Sequence, residues 1–349
     1  MAQFCYYEGD AHVGAALKAA LTSAGYAFVE SPEQAIFIFT YFLKENEAED
    51  CYFDSNGLVQ KAPKGAYLID LGPATPNFAR ELSAVASVSD LFFVEAPIAV
   101  KDTTLEDAFA AKENLACCVA AETHDREVVV PVLRNFAAQI DEFTEPGSAQ
   151  LAHSAWALQH CANIFSAVEA EALYRAMKRI PTSAVLTCDG NTVPTLEQTQ
   201  SALVAAIAQK RFSGTYTIEH LMANINAALS AADDAELILP QAEACLRLLE
   251  LLAIIGGSDK SPAAISIVYD EEETAASFGL DWSRAENFAG SSRDEDALND
   301  YNASGKGGNG GSGGAGVSGV MGGSGAMGGA DDDDDFGGYA DLFGNYSEN

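Results

Sequence analysis

The sequence predicts a reduced α/β Rossmann-like N-terminal domain with a parallel sheet, followed by an all-α C-terminal domain. Residues 1–145 alternate short apolar runs with segments of helical periodicity, which is the pattern of βαβ units. From Ser148 to Ala176, apolar residues recur at helical spacing, and later segments repeat that period. A length of 349 residues also exceeds the ~150-residue prior for one domain about twofold, which favours two domains.

The apolar runs are predicted strands, and the periodic segments between them are predicted helices. The predicted strands are Phe4–Tyr7, Ala27–Val29, Ile36–Tyr41, Ala66–Ile69, Leu91–Val94, Leu115–Val119 and Ala138–Phe143. The predicted helices are Val13–Ala24, Asn77–Ser87 and Arg126–Phe136. The acidic run at Glu47, Glu49 and Asp50 is interpreted as a solvated face.

Glycine marks the last boundary in the chain, since 17 of the 30 glycines fall in residues 301–349. Gly/Ser-rich chains behave as flexible coil, so we predict a disordered, acidic tail over 279–349. The tail ends with Asp331–Asp335 and an aromatic segment. Its simplest interpretation is a solvated extension, and the alternative is a short motif that docks into a groove on a basic protein partner.

Composition excludes several classes of partner. Asp and Glu number 51 against 19 Lys and Arg, and the net charge of −32 argues against nucleic acid and against anionic membrane surfaces. No apolar run approaches the ~18 residues of a membrane span. The N-terminus lacks the basic and apolar regions of a secretory signal. Seven cysteines without regular spacing indicate reduced thiols, so we expect a cytoplasmic protein.

A phosphate-binding turn is predicted where the first strand runs into Gly9-Asp10-Ala11-His12-Val13-Gly14 and then into a helix. This strand–turn–helix context is that of a dinucleotide fingerprint, in which backbone amides at the helix N-terminus bind a pyrophosphate. The match is partial, because Ala11 stands at the middle glycine and Asp10 adds a negative charge that His12 offsets only if protonated. A tight turn without a ligand is the alternative. The candidate cofactor residues in the turn are Gly9, Ala11, His12 and Gly14.

Further motifs follow in a fixed order. Ala24-Gly25-Tyr26 ends the first helix, Lys64–Asp70 and Phe93–Pro97 overlap two later strands, and Gly147–His153 opens the long helix. In order and spacing, these segments resemble the β-hydroxyacid dehydrogenase family, which includes 3-hydroxyisobutyrate and 6-phosphogluconate dehydrogenases. The resemblance spans roughly residues 3–275. It implies NAD or NADP as cofactor, hydride transfer with a small-molecule substrate, and a homodimer.

The resemblance also sets the predicted domain boundaries. It implies a Rossmann-like NAD(P)-binding domain over 1–146 and a helical domain over 147–278, whose apolar stretch Ala242–Ile255 suits a dimer interface. About one βα unit of the family pattern is missing after the second strand. Glu30 closes that strand 16 residues past Gly14 and is a candidate ribose ligand that would disfavour NADP, although an ordinary strand-end charge is the alternative.

The predicted site residues follow from the same resemblance. His153 stands where the family has its proton-transfer lysine, and an imidazole suits general acid–base chemistry. The family's later Lys-Asp pair is replaced by Ala223-Asn224. The positions that hold substrate in the family are mostly apolar here, which favours a substrate without a carboxylate. They are Gly72, Pro73, Ala99, Val100, Trp156 and Ala157.

Two functional hypotheses therefore stand side by side. The first is an NAD(P)-dependent oxidoreductase that acts on a small carbonyl, hydroxy or imine substrate at a diverged site. The second is a non-catalytic derivative, a dimeric docking body for the acidic-aromatic tail, since most polar site groups of the family are replaced. No metal site is predicted, because His153 and His160 lie seven residues apart whereas helical ligand pairs usually lie three or four apart.

Overall fold

The computed structural model describes residues 3–178 and 201–285. Within them the strands of one eight-stranded sheet are β1 (Phe4–Gly9), β2 (Ala27–Phe28), β3 (Phe37–Tyr41), β4 (Tyr67–Asp70), β5 (Phe92–Glu95), β6 (Ile98–Val100), β7 (Leu115–Ala120) and β8 (Gln139–Phe143). Their order in the sheet is β2-β1-β3-β4-β5-β7-β6, and β8 pairs with β7. Strands β1 to β5 pair in parallel, whereas β7 is antiparallel to β5 and β6.

The helices flank the sheet up to residue 133 and then form the C-terminal part of the described chain. They are α1 (Ala11–Ser23), α2 (Glu45–Phe53), α3 (Leu58–Lys61), α4 (Pro76–Val88), α5 (Thr123–Leu133), α6 (Ser148–Lys178), α7 (Ser201–Ala208), α8 (Ile218–Asp234), α9 (Pro240–Leu252) and α10 (Glu272–Ser277). A π-helical turn and a 3₁₀ segment, Pro262–Tyr269, lie between α9 and α10.

The predicted fold class is confirmed. Each predicted strand and helix of residues 1–145 has a counterpart, with ends that shift by a few residues. Sequence reasoning missed α2, α3 and β6. In α2 only Ala48 and Tyr52 are buried, and the acidic residues around them obscure the helical apolar pattern. Strand β6 has only three residues, directly after Pro97, which is too short to recognise from sequence.

The sheet is shortened on the β2 side, as the sequence predicts. Strand β2 has two residues and lies at the edge of the sheet. The 3₁₀ turn Pro32–Gln34 then leads directly to β3, which pairs with the other side of β1. The crossover helix and the strand that would extend this side of a full Rossmann sheet are absent from the described residues.

The core is continuous between the sheet and the C-terminal helices. One cluster of buried apolar side chains extends from Cys5 and Val13 in the first βα unit to Leu252 and Ile265 near the end of the described chain. Helix α6 packs against β7 on one side and α8 on the other. In the described residues no single helix has the length and hydropathy of a membrane span; a pair bent by 88°, Pro240–Gly257 with Pro262–Tyr269, meets those criteria only together.

The predicted boundary at residues 146 and 147 remains a prediction. Gly147, the residue before α6, has a φ of 87°, a conformation that favours glycine. The predicted disordered tail begins too early, because residues 279–285 are described and Leu280 is 2% exposed in the core. From residue 286 onward the predicted tail lies outside the described residues.

Candidate functional site

The candidate site lies at the carboxyl edge of the parallel strands. Gly9 pairs with Tyr41, and Thr40, Asp70 and Glu95 are aligned across β3, β4 and β5 at the ends of these strands. In open α/β sheets, ligands bind in the crevice outside this edge. The first turn and the start of α6 therefore meet where a cofactor and substrate are expected.

Gly9 makes the close approach that the predicted turn requires. Its φ is 125°, and a Cβ built on it would lie 2.0 Å from the carbonyl oxygen of Tyr41. The next amide, of Asp10, donates to that same carbonyl at 2.9 Å. Gly14 packs against Tyr7, whose ring carbon would lie 2.4 Å from an added Cβ. Both glycines thus have a steric reason to be glycine.

The side chain of Asp10 occupies the amides at the start of α1. Its Oδ1 accepts hydrogen bonds from the backbone amides of His12 and Val13, each at 2.9 Å. These are the donors that the sequence assigns to a phosphate. The predicted cofactor residues Ala11 and His12 are exposed at the surface of this turn.

A residue of the C-terminal helices also faces the same oxygen. His220 on α8 is 2% exposed, and its Nε2 lies 3.7 Å from Oδ1 of Asp10. The amide of Thr217 donates to Nδ1 of His220 at 3.3 Å in a capping box. Nδ1 is therefore an acceptor, so the hydrogen is on Nε2 and points toward Asp10. This buried Nε2 has no partner within hydrogen-bond distance in the described residues.

These donors hold Asp10 in its charged form. Burial opposes ionisation of the carboxyl, but the nearby His220 and the amide of Val13 outweigh it, so the pKa of Asp10 lies below its usual 3.8. At neutral pH the start of α1 therefore faces an anion that belongs to the chain itself.

Hydrogen bonds connect His220, which faces this turn, to the predicted catalytic residue. Asn224 lies one helical turn after His220, and its Nδ2 donates to the carbonyl of His220 and to the hydroxyl of Tyr216, both at 2.9 Å. Its Oδ1 lies 2.7 Å from Nε2 of His153. Helix α8 therefore contacts both the first turn and the long helix α6.

This arrangement fixes the tautomer of His153. Because Oδ1 of Asn224 is an acceptor, the hydrogen of His153 is on Nε2, and Nδ1 has a free lone pair. His153 is 1% exposed, and Nδ1 has no hydrogen-bond partner in the described part of the chain. Burial lowers the pKa of His153 to about 4, although the hydrogen bond to Asn224 raises it. The imidazole is therefore neutral at physiological pH.

Glu95 and Gln150 position the start of α6 against the strand ends. Glu95 accepts hydrogen bonds from the amides of Gly147 and Gln150, the latter at 3.2 Å. The side chain of Gln150 donates to the carbonyl of Gly72 at 3.0 Å and accepts from the amide of Ala74 at 3.1 Å. One turn of α6 beyond Gln150, the same helix carries His153.

The predicted substrate residues lie mostly in the interior. Gly72, Pro73, Ala99, Val100 and Ala157 are buried. An added Cβ at Gly72 would lie 2.9 Å from the carbonyl oxygen of Phe42, so even a methyl group would clash there.

Trp156 is partly exposed and lies between two imidazoles. Its ring is 5.4 Å from that of His153 and stacks on His160 at 4.7 Å. It is therefore placed to form an apolar wall beside His153. Glu30 is exposed two residues past β2. Among the residues that the structure describes, no group of three His, Cys, Asp or Glu side chains is arranged to hold a metal ion.

Comparisons with known proteins agree with this fold. Residues 9–145 match the family model described as the NAD binding domain of 6-phosphogluconate dehydrogenase. The uncharacterized oxidoreductase YkwC of Bacillus subtilis is 23% identical over 233 residues, which are 67% of this chain and 78% of that protein.

Two solved structures share the fold at low identity. The 3-hydroxyisobutyrate dehydrogenase of Mycobacterium tuberculosis, solved with L-serine, has a TM-score of 0.60 at 17% identity and covers 78% of this chain and 100% of its own. Psf3, solved with NADP+ and 2-OPP, has a TM-score of 0.60 at 16% identity and covers 76% of this chain and 100% of its own.

The fold and the matched domain define a class of protein in which a Rossmann-like, NAD-binding domain is followed by helices. The match supports the resemblance to the β-hydroxyacid dehydrogenase family that the sequence shows. The cofactor class that goes with this family is NAD or NADP.

Sequence reasoning missed the contribution of His220 and the position of the Asp10 side chain. An Asp just before a helical run is a signature of an N-cap, which alone predicts that its carboxylate folds back on the helix amides. Thr217 and His220 have the spacing of a capping box. No local pattern indicates that His220 reaches the first turn, because that contact joins residues 210 positions apart.

Proposed function

We propose that this protein transfers a hydride between NAD(P) and a small hydroxy or carbonyl substrate that lacks a carboxylate. The observation that carries this proposal is His153, a buried imidazole beside the strand edge with one nitrogen fixed by Asn224 and the other without a partner in the described chain. A buried polar atom without a partner is costly, and a substrate hydroxyl would satisfy it.

The apolar character of the predicted substrate positions supports this substrate class. Gly72, Pro73, Ala99 and Val100, at positions that hold substrate in the family, are buried and carry no charge or side-chain hydrogen-bond donor. A carboxylate placed among them would lose its hydration without gaining an ionic partner. A ketone, an alcohol or the corresponding imine of modest size would not incur that cost.

The residues have distinct roles in this proposal. In alcohol oxidation, Nδ1 of His153 takes the proton of the substrate hydroxyl as the hydride leaves the adjacent carbon; in ketone reduction, an imidazole protonated at Nδ1 returns that proton to the oxygen as the hydride is added. Asn224 holds Nε2–H in both directions. Trp156 excludes water from one side of the imidazole. The nicotinamide, when bound, supplies or accepts the hydride.

The first turn suits a dinucleotide in its backbone but not in its present side-chain arrangement. Gly9 and Gly14 provide the close approach, and the amides of His12 and Val13 point to one place. The carboxylate of Asp10 fills that place, so the cofactor's phosphates must displace it. Glu30 is exposed at the end of β2, where a carboxylate favours the ribose hydroxyl of NAD over the phosphate of NADP.

Steady-state kinetics with NADH and NADPH test the function. The substrate panel should contain small ketones, the corresponding imines and matched 3-oxo acids, and the enzymes should be the wild type, His153→Ala and His124→Ala. We expect activity with the carboxylate-free compounds and a loss of ~100-fold or more in kcat for His153→Ala. His124 is exposed on α5 and provides the matched control.

Two outcomes would contradict this function. Activity confined to 3-oxo acids would refute the substrate class. If His153→Ala and the His124→Ala control both keep the kcat of the wild type, the imidazole of His153 does not take part.

A homodimer and a cytoplasmic location remain proposals. Exposed apolar side chains favour a dimer, because Leu173 on α6 and Leu237 and Ile238 before α9 are each more than half exposed. The predicted interface stretch Ala242–Ile255 includes α9, where Ala242, Cys245 and Leu249 are already buried within the chain. Sedimentation equilibrium tests the dimer, and a monomer at micromolar concentration would refute it.

The second candidate is the non-catalytic docking body, and the occupied first turn favours it. The carboxylate of Asp10 already binds the amides of His12 and Val13, so this turn can keep its structure without a cofactor phosphate. The acidic-aromatic segment 301–349 would then bind a basic protein partner. Affinity capture with the full chain and with a chain that ends at residue 300 tests this role. Identical captured partners would remove its support.

A further inference from the structure

We propose that Asp10 is a built-in occupant of the phosphate site and that His220 of α8 is a ligand for the phosphate that replaces it. This inference rests on the proposed function and concerns how the same site admits its cofactor. It assigns a binding role to a residue of the helical half, about 200 residues beyond the fingerprint turn.

Three hydrogens converge on one position at the start of α1. The amides of His12 and Val13 each lie 2.9 Å from Oδ1 of Asp10, and Nε2 of His220 lies 3.7 Å from the same atom. Such a set of donors is what a phosphate oxygen requires. In the present arrangement the carboxylate oxygen takes the place of that phosphate oxygen.

The environment of His220 shows that its Nε2 is held in place for an anion. The ring is 2% exposed and packs near the rings of Phe109, Tyr216 and Tyr41, at 5.2, 5.4 and 5.9 Å. Thr217 fixes the other ring nitrogen. Nε2 is nevertheless buried without a partner within hydrogen-bond distance, because 3.7 Å is too long for a good bond to Asp10. A phosphate, which is larger than a carboxylate, would shorten that gap.

Displacement of Asp10 requires little rearrangement of the backbone. Its φ and ψ of −54° and 133° are ordinary, and the turn is held by the backbone bond from Asp10 to Tyr41 rather than by the side chain. The side chain of Asp10 is 15% exposed, so the carboxylate has a route to solvent. Rotation of one side chain would then free both amides.

Binding of inorganic pyrophosphate and NADH to the full-length protein tests this proposal. The variants are Asp10→Ala, which frees the amides, and Asp10→Asn, which removes the charge but keeps an oxygen that can cap the helix. His220→Gln, alone and combined with Asp10→Ala, keeps a capping-box side chain at the third helical position. The readouts are calorimetry and the amide NMR shifts of His12 and Val13, and circular dichroism verifies that each variant is folded.

We expect pyrophosphate to shift these two amides in Asp10→Ala but not in the wild type, and to bind Asp10→Ala at least ~10-fold more tightly. The pyrophosphate affinity of Asp10→Asn should lie between those of the wild type and Asp10→Ala. Adding His220→Gln to Asp10→Ala should weaken pyrophosphate binding ~10-fold. Equal amide shifts in the wild type, or no shifts in Asp10→Ala, would overturn the role of Asp10. If the double variant binds pyrophosphate as tightly as Asp10→Ala does, the role of His220 is overturned.

These results separate the inference from the proposed function. If Asp10→Ala binds pyrophosphate at the two amides but no variant oxidises NADH with any substrate, the inference stands and the oxidoreductase function fails. If the wild type turns over and Asp10→Ala neither binds NADH more tightly nor responds to pyrophosphate, the function stands and the inference fails.

Discussion

Nε2 of His220 lies 3.7 Å from Oδ1 of Asp10, so a helix of the C-terminal half directly contacts the first turn of the sheet. The same helix holds His153 through Asn224 at 2.7 Å. The predicted cofactor turn and the predicted proton-transfer residue are therefore joined through α8. A substitution at either end is therefore expected to perturb the other.

Gly9→Ala should prevent or severely weaken folding. Its Cβ would lie 2.0 Å from the carbonyl oxygen of Tyr41, and the positive φ adds strain. We expect a loss of about 3 kcal/mol or more in the free energy of unfolding, measured by urea denaturation. Gly25→Ala is the matched control, because Gly25 also has a positive φ but nothing within 4 Å of an added Cβ. A similar small loss in both variants would refute the steric account.

Glu95→Gln should loosen the start of α6, because both oxygens of a carboxyl group, protonated or not, can accept from Gly147 and Gln150, whereas the nitrogen of an amide cannot accept. We expect a loss of ~1–3 kcal/mol at low pH in urea denaturation, with the exposed Glu122→Gln as control.

The size of that loss should depend on pH. Burial raises the pKa of Glu95 from 4.5 to about 7, although the amides of Gly147 and Gln150 lower it. The folded state therefore binds more protons than the unfolded state between these pH values, and the contribution of Glu95 to stability falls as pH rises through that range. The stability advantage of the wild type over Glu95→Gln should shrink from pH 4.5 to 7, and a constant advantage would contradict this.

His153 should have the opposite pH dependence. Burial lowers the pKa of His153 from 6.5 to about 4, so the unfolded state binds more protons between these values. Its contribution to stability is therefore present above pH 6.5 and is lost as pH falls toward 4. The difference in unfolding free energy between the wild type and His153→Gln should increase from pH 4 to 6.5. A flat difference, or one that matches His124→Gln, would contradict a buried neutral imidazole.

Glu30 should set the preference between cofactors. Its carboxylate is exposed at the end of β2, where it would repel the extra phosphate of NADP. We expect the wild type to bind NADH more tightly than NADPH by fluorescence titration, and Glu30→Gln to reduce that ratio ~5-fold or more. Glu33→Gln, an exposed acid in the following 3₁₀ turn, is the control. Equal ratios in the two variants would rule out a role for Glu30.

Local patterns were sufficient to predict the sheet and the first turn. Alternating apolar runs located the strands, and Gly9 and Gly14 indicated a close backbone approach that the structure shows. Helix α2 was missed because most of its residues are acidic or polar. Only Ala48 and Tyr52 are buried, which is too few to give a clear apolar periodicity.

The site itself was predicted only in part. The position of His153 on α6 followed from the resemblance, but its tautomer depends on Asn224, which lies 71 residues away. The contact between Asp10 and His220 depends on how α8 packs against the sheet, and no local pattern encodes that packing. The substrate residues were identified by position, yet the clash of an added Cβ at Gly72 with Phe42 emerges only in three dimensions.

Transfer of deuterium from NADH labelled at both C4 positions is the decisive test of hydride transfer by this protein. The wild type is incubated with the labelled cofactor and a small ketone that lacks a carboxylate, and the alcohol is analysed by mass spectrometry. We expect an alcohol that carries one deuterium on the carbinol carbon, with far less formed by His153→Ala. Failure to form labelled alcohol from any ketone of the panel, under conditions in which calorimetry shows NADH bound, would contradict it.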